Sequence, residues 1–286
     1  MNKIQTWIQA ARPKTLIAGI SPVIIGSAIA FTDGAFDLVI FLFTLLTSLG
    51  IQISCNLIND YADFLKGSDT ALRQGPLRVT SAGLVSVSGM KRAAAICIFF
   101  TALFGSILVY QGGIVIALLL AISLLLAYFY TVGPFPLAYL GLGEIFVLAF
   151  FGPIAVAGTA YLQTGAFSLN AFIAGFGPGA LSTAILVTNN LRDAEEDTLA
   201  HKKTLIVRFG KTFGKCEYLF CILLAFLLPF YFMSQHPFIL LASLIILPAF
   251  VALHSVFTQQ DFRPLLPKTA QMLMLYTILF SIGWML

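Results

Sequence analysis

Nine long apolar runs constrain the fold of this chain more than any other feature of its sequence. Each run spans roughly 16–22 residues, long enough for a helix to cross the hydrocarbon core of a bilayer. They occupy, to within a few residues, 16–31, 38–58, 93–110, 114–131, 145–161, 171–191, 217–233, 238–257 and 269–286. A spanning helix satisfies its own backbone hydrogen bonds, and the weak ten-residue alternation of a membrane β-barrel is missing. We therefore expect an all-α polytopic membrane protein with nine transmembrane helices, in which residues 1–286 form one domain.

Composition excludes the main soluble classes. The chain is 59% hydrophobic and only 10% charged, and its mean hydropathy is +0.96. The basic residues are scattered over several loops rather than gathered on a soluble domain, which argues against a nucleic-acid partner. Membrane lipid is the expected surrounding of the folded chain.

The basic residues indicate how the chain crosses the membrane. All 16 Lys and Arg lie in the N-terminal segment or in the segments 59–92, 192–216 and 258–268. Nine spans put these four segments on the same side, together with a fifth, 132–144, that has no Lys or Arg. The positive-inside rule makes that side the cytoplasm. We expect a multi-pass membrane protein with a cytoplasmic N-terminus.

Acidic residues are scarce, and seven of the twelve fall in two short windows that each follow a long apolar run. The first acidic window (residues 60–69) contains Asp60, Asp63 and Asp69, and the second acidic window (residues 193–197) contains Asp193, Glu195, Glu196 and Asp197. Carboxylates at a membrane boundary are costly and are usually functional. The two windows are therefore the expected functional site.

Helical spacing would align the first window with an asparagine one turn upstream. Asn56, Asp60 and Asp63 stand at i, i+4 and i+7, so they share one face of a helix. Gly67 is expected to end that helix and to let Asp69 fold back toward the same face.

The second window has a similar arrangement, with Asn189, Asp193 and Asp197 at i, i+4 and i+8 and with Asn190 beside them. Two opposed carboxylate faces would repel each other unless cations lay between them. Magnesium suits hard oxygen ligands and is commonly held by a few carboxylates together with substrate phosphates. Seven nearby basic residues are suited to neutralising phosphate oxygens: Lys66, Arg73, Arg78, Arg192, Lys202, Lys203 and Arg208. The sequence thus predicts Mg²⁺ holding a diphosphate-bearing ligand.

Seven stretches, in order along nearly the whole chain, resemble the motifs of one family. They are Arg12-Pro13-Lys14-Thr15, residues 56–69, Gly75-Pro76-Leu77-Arg78, Tyr130-Thr131-Val132-Gly133, residues 139–144, residues 189–197 and residues 203–210. The family is the intramembrane aromatic prenyltransferases of the UbiA superfamily. The likeness is closest to its 1,4-dihydroxy-2-naphthoate polyprenyltransferase branch, which acts in menaquinone biosynthesis.

The resemblance implies a nine-helix bundle with a cytoplasmic cap over a polar site. It also implies Mg²⁺-dependent transfer of the chain of a polyprenyl diphosphate to dihydroxynaphthoate, with loss of the ring carboxylate, to give demethylmenaquinone. Many relatives have a basic residue in the loop after the fourth span. That loop has none here, so another cation must serve or the diphosphate is held differently.

The resemblance also implies roles for individual residues. The expected catalytic residues are Asp60, Asp63, Asp193 and Asp197. The expected metal ligands are Asn56, Asp60, Asp63, Asn189, Asp193 and Asp197. The expected substrate-binding residues are Arg12, Asn59, Lys66, Asp69, Arg78, Tyr130, Asn190, Arg192 and Lys203.

Other functions stay open at this point. Prenyltransferases for hydroxybenzoate, homogentisate, haem or chlorophyllide share the implied fold, so the aromatic acceptor is not settled. A secondary transporter is the main rival outside this family. Transporters bind their substrates near the bilayer midplane, whereas the acids here lie at helix ends on one side, which favours the enzyme.

Overall fold

The computed structural model describes residues 2–68, 75–259 and 261–286, and every regular element in these ranges is helical. The α-helices are α1 (Lys3–Ala11), α2 (Pro13–Thr32), α3 (Leu38–Leu65), α4 (Val87–Phe129), α5 (Gly143–Phe150), α6 (Pro153–Thr164), α7 (Leu169–Ala174), α8 (Phe176–Leu199), α9 (Leu205–Phe232), α10 (Ile246–Thr258) and α11 (Leu265–Met285). Two 3₁₀ segments, Leu137–Tyr139 and Pro237–Ile245, complete the set for the described ranges. The predicted all-α membrane fold is confirmed.

Helix α4 is two membrane spans joined at a sharp bend. As a straight helix of 43 residues it would be about 65 Å long, twice the thickness of the hydrocarbon core. Gly113 interrupts it with φ 63° and ψ −151°. A Cβ atom on Gly105 would lie 2.5 Å from Leu120 Cδ2, although these residues would be about 22 Å apart in a straight helix. The two halves therefore fold back on each other. With α4 counted twice, the eight apolar helical segments of the described residues give the nine predicted spans.

Each of three spans consists of two helical pieces. These spans are Gly143–Thr164, Leu169–Leu199 and Pro237–Thr258. The backbone at the break in the first of them contacts the backbone at the break in the second. A Cβ atom on Gly152 would lie 2.6 Å from Gly175 O and 2.9 Å from Gly179 Cα. Such close approach is possible because small residues bring helix backbones together in membranes. The contact fixes α5 against α8, and both helices contribute to the site described below.

The core surrounds α8, most of whose small and apolar residues are buried against α2, α9 and α11. Large apolar side chains cover the outside of the bundle. Leu247 and Phe250 on α10, for example, are 68% and 74% exposed. Exposed apolar surface of this extent is what a lipid environment requires.

Helices α3 and α8 extend beyond the predicted ends of their spans, residues 58 and 191, to Leu65 and Leu199. Both polar motifs therefore continue the transmembrane helices, as their spacing predicts. Helix α1, residues 75–86, residues 130–142 and residues 200–204 lie around these two helix ends and are here called the cap. Asp69 and Arg73 lie outside the described residues.

Candidate active site

A polar chamber of about 470 Å³ lies where α3 and α8 end. Its wall combines residues from both acidic windows with residues from the cap. The polar lining residues are Gln9, Arg12, Lys14, Thr15, Asn59, Asp63, Arg78, Tyr130, Glu144, Asn189, Asn190, Arg192, Asp193, Lys202 and Thr204. The structure thus brings the two windows, which are far apart in sequence, to one cavity.

Two further chambers continue from the polar one in sequence and become less polar with depth. A middle chamber of about 220 Å³ shares Arg12, Asn59, Tyr130 and Asn189 with the polar chamber. An apolar chamber of about 120 Å³ lies between α2, α3, α4 and α6 and shares Ser48, Ile51, Ser123 and Phe150 with the middle one. Together they suit a ligand with a charged head and an apolar tail.

Asp63 is the carboxylate of the first window that lines the polar chamber. Its Oδ2 accepts a hydrogen bond of 2.7 Å from the guanidinium of Arg78, and both side chains are largely buried. Its Oδ1 accepts a bond of 3.0 Å from the hydroxyl of Tyr139. Asp63 is therefore held in one orientation by two donors from the cap.

Two of the four carboxylates in the second window, Asp193 and Asp197, pair with different basic residues. Asp193 accepts two hydrogen bonds, of 2.7 and 2.6 Å, from Arg192, a bidentate geometry that fixes both side chains. Asp197 accepts a bond of 3.2 Å from Lys202 Nζ through Oδ1. Its Oδ2 is buried and has no hydrogen-bond partner within the described ranges. A buried carboxylate oxygen without a donor is costly unless a ligand completes it.

Lys202 interacts electrostatically with carboxylates of both acidic windows. Burial alone lowers the pKa of its ammonium, but the carboxylates of Asp197, Asp63 and Asp193 outweigh burial, so the pKa is raised above its ordinary value. Asp63 of the first window and Asp193 of the second line the same polar chamber as Lys202, so both windows face one cavity. Lys202 therefore supplies a positive charge where the windows meet.

Oxygen donors that suit magnesium line this part of the polar chamber: the carboxylates of Asp63 and Asp193 and the amides of Asn59 and Asn189. In the described ranges, no three His, Cys, Asp or Glu side chains converge on a point that could hold a metal ion. Magnesium does not need three, because it keeps several waters and shares its coordination with substrate phosphates. The donor set and the open oxygen of Asp197 fit magnesium that arrives with a diphosphate.

Asp60 and Asn56 do not face the polar chamber. The two carboxylate oxygens of Asp60 accept hydrogen bonds of 3.0 and 2.8 Å from the backbone N–H groups of Val79 and Thr80. Asn59, one position earlier and about 100° away around the helix, takes the inward position instead. Asp60 therefore anchors the cap, and its assignment as a catalytic residue and metal ligand stays a prediction.

Asn56 lines the middle chamber rather than the polar one. Its Nδ2 donates hydrogen bonds of 2.9 Å to Ala11 O and 3.2 Å to Thr15 Oγ1. These bonds tie α3 to the junction of α1 and α2. Its assignment as a metal ligand likewise stays a prediction.

Arg12 and Tyr130 lie where the polar and middle chambers meet. Arg12 joins α1 to α2 with φ 52°, a left-handed conformation that is uncommon outside glycine. Burial raises the pKa of the Tyr130 hydroxyl well above its ordinary value, so this phenol stays protonated at neutral pH.

The other residues predicted to bind substrate are distributed around the chamber. Asn59 accepts a hydrogen bond from Thr131, and Asn190 donates one of 2.7 Å to Glu144. Lys66 contacts the ring of Tyr139, while the side chain of Lys203 is exposed. Neither lysine lines the chamber. Asp69 lies outside the described residues, so its assignment stays a prediction.

Sequence reasoning missed Glu144 and Tyr139 as individual site residues. Glu144 is buried at the start of α5 and lines the chamber. An acid at the edge of an apolar run is a signal that could have identified it. Tyr139 is an ordinary loop aromatic in sequence, and only the folded chain reveals its contacts.

Comparison with known proteins identifies the fold and the family. A profile described as the UbiA prenyltransferase family matches residues 19–279. The chain belongs to the UbiA prenyltransferase family. A UbiA homolog from Archaeoglobus fulgidus, solved with GPP and Mg²⁺ bound, has the same fold, with a TM-score of 0.69 at 15% identity over 98% of this chain and 99% of that one.

Two curated proteins are similar to this chain over nearly its full length. The 1,4-dihydroxy-2-naphthoate octaprenyltransferase of Escherichia coli (strain K12) is 36% identical over 300 residues, covering 99% of this chain and 96% of that protein. The protein of the same name from Haemophilus influenzae is 35% identical over 310 residues, with the same coverage of 99% and 96%.

Proposed function

We propose that this protein transfers a polyprenyl chain from polyprenyl diphosphate to 1,4-dihydroxy-2-naphthoate, with loss of the ring carboxylate, at the cytoplasmic face of a bacterial inner membrane. The observation that carries the proposal is the cavity itself, in which a charged chamber opens into progressively more apolar ones. The acceptor is proposed from the full-length similarity to two naphthoate octaprenyltransferases.

The donor's diphosphate would lie in the polar chamber, near Lys202 and Arg192. Arg192 keeps N–H donors beyond the two that bind Asp193, because a guanidinium has five. Magnesium ions held by Asp63, Asp193 and Asp197 would supply the remaining charge neutralisation of the diphosphate. The prenyl tail would extend through the middle chamber into the apolar chamber.

The reacting carbon would then lie near Tyr130, where the polar and middle chambers meet. The bond between this carbon and the diphosphate oxygen breaks, and the electron pair leaves with the diphosphate. The face of an aromatic ring attracts a cation, so Tyr130 is suited to stabilise the allylic cation. Apolar side chains of the middle chamber, such as Phe146 and Phe150, would exclude water that would otherwise capture it.

The acceptor completes the reaction by forming the new carbon–carbon bond. The electron-rich ring carbon that bears the carboxylate attacks the cation, and CO₂ then leaves. The electrons of the broken ring–carboxylate bond restore the aromatic ring, so this step needs no external base. Its immediate product is the prenylated hydroquinone, and conversion to the quinone needs a separate two-electron oxidant. Arg12, at the junction of the chambers, is the cation suited to bind the acceptor's carboxylate before it is lost.

The direct test uses full-length protein in lipid nanodiscs with radiolabelled polyprenyl diphosphate, Mg²⁺ and dihydroxynaphthoate. We expect a prenylated naphthalene product that chelation abolishes and that Asp63→Asn reduces by about 100-fold. Asp33→Asn is the matched control, because Asp33 is exposed at the far end of α2. Product with hydroxybenzoate but not with dihydroxynaphthoate would reassign the acceptor, and no product with any aromatic acceptor would refute the proposal.

A further inference from the structure

The loop between the fourth and fifth spans (residues 130–142) contains no Lys or Arg, yet it is surrounded by basic side chains from elsewhere. We propose that Tyr139 in this loop is a positioning residue that joins the two acidic windows and holds Lys202, which lines the polar chamber, together with Lys66, which lies outside its wall, so that both charges act on the diphosphate. This inference rests on the proposed function, because the diphosphate is the substrate named there. The contacts of Tyr139 are observed independently of that function.

On the side of the first window, Tyr139 contacts three residues. Its hydroxyl donates the 3.0 Å hydrogen bond to Asp63 Oδ1 and lies 2.5 Å from Ser68 Oγ. The ammonium of Lys66 lies 4.1 Å from the centroid of its ring, well within the range of a cation–π contact. Lys66 Nζ also donates a hydrogen bond of 2.5 Å to Thr131 O at the start of the same loop. The loop therefore holds Lys66 at two points.

On the side of the second window, the contacts come from the segment between α8 and α9. Lys202 Nζ lies 5.9 Å from the centroid of the Tyr139 ring, at the outer limit of such an interaction. The backbone N–H of Lys203 donates a hydrogen bond of 3.1 Å to Tyr139 O. Arg208 donates one of 3.0 Å to the neighbouring Leu140 O. Tyr139 is thus tied to both windows at once.

The two parts of the Tyr139 side chain have different consequences. The ring attracts Lys202, which lines the polar chamber, and Lys66, which lies outside it. This attraction limits the motion of both flexible side chains. The hydroxyl orients Asp63, whose other side-chain hydrogen bond among the described residues comes from Arg78. Burial and the nearby carboxylate of Asp63 raise the pKa of this hydroxyl, so it remains a donor at neutral pH.

Two substitutions separate these contributions. Tyr139→Phe keeps the ring and removes the bond to Asp63, whereas Tyr139→Leu removes both. We expect Tyr139→Leu to weaken binding of magnesium pyrophosphate by about 10-fold, and Tyr139→Phe to weaken it by about 3-fold or less. Tyr110→Leu is the matched control, because Tyr110 lies on α4 near its bend at Gly113 and is 94% exposed.

The measurement is calorimetric titration of inorganic pyrophosphate, with Mg²⁺ present, into the full-length protein in nanodiscs. Lys66→Met should reproduce most of the effect of Tyr139→Leu, which keeps the test valid if the latter variant fails to fold. Steady-state kinetics should show a raised KM for the prenyl diphosphate with kcat at saturating donor changed by less than about 3-fold, a split that a purely structural defect would not produce.

Pyrophosphate binding by Tyr139→Leu and Lys66→Met at wild-type strength would overturn the inference, as would equal losses in Tyr139→Phe and Tyr139→Leu. The titration needs no aromatic acceptor. If the wild-type protein prenylates dihydroxynaphthoate while the variants bind pyrophosphate normally, the inference fails and the proposed function stands. If the variants bind weakly while no acceptor is prenylated, the proposed function fails and the inference stands as a property of the diphosphate site.

Discussion

The ammonium of Lys202 lies 3.2 Å from Asp197 Oδ1, between two carboxylate windows that come from opposite halves of the chain. This lysine offsets the mutual repulsion of Asp197, Asp63 and Asp193. A divalent cation bound with the donor would add to that neutralisation and would not have to displace the lysine, because Asp197 has an open oxygen.

Replacing this lysine tests its electrostatic role. Lys202→Met should lower the free energy of unfolding by about 2 kcal/mol, because it leaves the largely buried carboxylate of Asp197 without a partner. Added Mg²⁺ should restore part of the loss. Thermal unfolding in nanodiscs, with and without Mg²⁺, measures both effects.

Lys211→Met is the control for that experiment. The pair between Lys211 and Glu195 is solvent-exposed, so its loss should change the unfolding free energy by about 0.5 kcal/mol or less. Equal destabilisation by the two substitutions would contradict the role assigned to Lys202.

Asp60 and Asp63 should respond differently to the same substitution. Asp60→Asn removes a carboxylate that accepts backbone N–H groups from Val79 and Thr80, so it should loosen the cap. Hydrogen exchange at these two amides should accelerate by at least about 10-fold, with the Mg²⁺ concentration for half-maximal activity unchanged. Asp63→Asn should instead raise that concentration. A raised Mg²⁺ requirement in Asp60→Asn with protected amides would restore Asp60 as a metal ligand.

The apolar chamber should limit the length of the donor's tail. Ser123 lines both the middle and the apolar chambers, so Ser123→Phe should obstruct the path between them. We expect the KM for long polyprenyl diphosphates to rise by about 10-fold, while geranyl diphosphate is used as before. Ser106→Phe, at an exposed position in the first half of α4, should leave both values unchanged. An equal effect on short and long donors would argue against this path.

Helix α1 should lie at the lipid surface. Ile4, Trp7 and Ile8 are exposed on one face of this helix, and Lys3 and Lys14 lie near its two ends, an arrangement typical of interfacial helices. In a Trp284→Phe variant, which leaves Trp7 as the single tryptophan, brominated lipids should quench most of the fluorescence. Efficient quenching by aqueous iodide instead would place α1 in solvent.

Sequence periodicity predicted the membrane spans and the helical placement of both acidic windows because these depend on local patterns. Periodicity could not predict which of Asn59 and Asp60 lines the polar chamber. Either residue lies on one helical face with Asn56 and Asp63 at these spacings. The choice depends on the backbone of residues 79–80, which caps Asp60.

The contacts of the basic residues near the site were also not predictable, because they too depend on segments that are distant in the sequence. Lys66 and Lys202 were identified as suited to phosphate, but nothing in their spacing indicated that they meet at one aromatic ring. Tyr139 begins one of the stretches that resemble the family, residues 139–144, but its position in the sequence gives no sign that it contacts Lys66 and Lys202. Such contacts arise only when distant segments fold together.

Release of CO₂ from carboxyl-labelled 1,4-dihydroxy-2-naphthoate tests the proposed reaction most directly. Purified wild-type protein with polyprenyl diphosphate and Mg²⁺ should release one labelled CO₂ for each prenylated product formed, and no CO₂ when the donor or Mg²⁺ is omitted. Prenylated product that retains the label, or CO₂ released without the donor, would contradict the account.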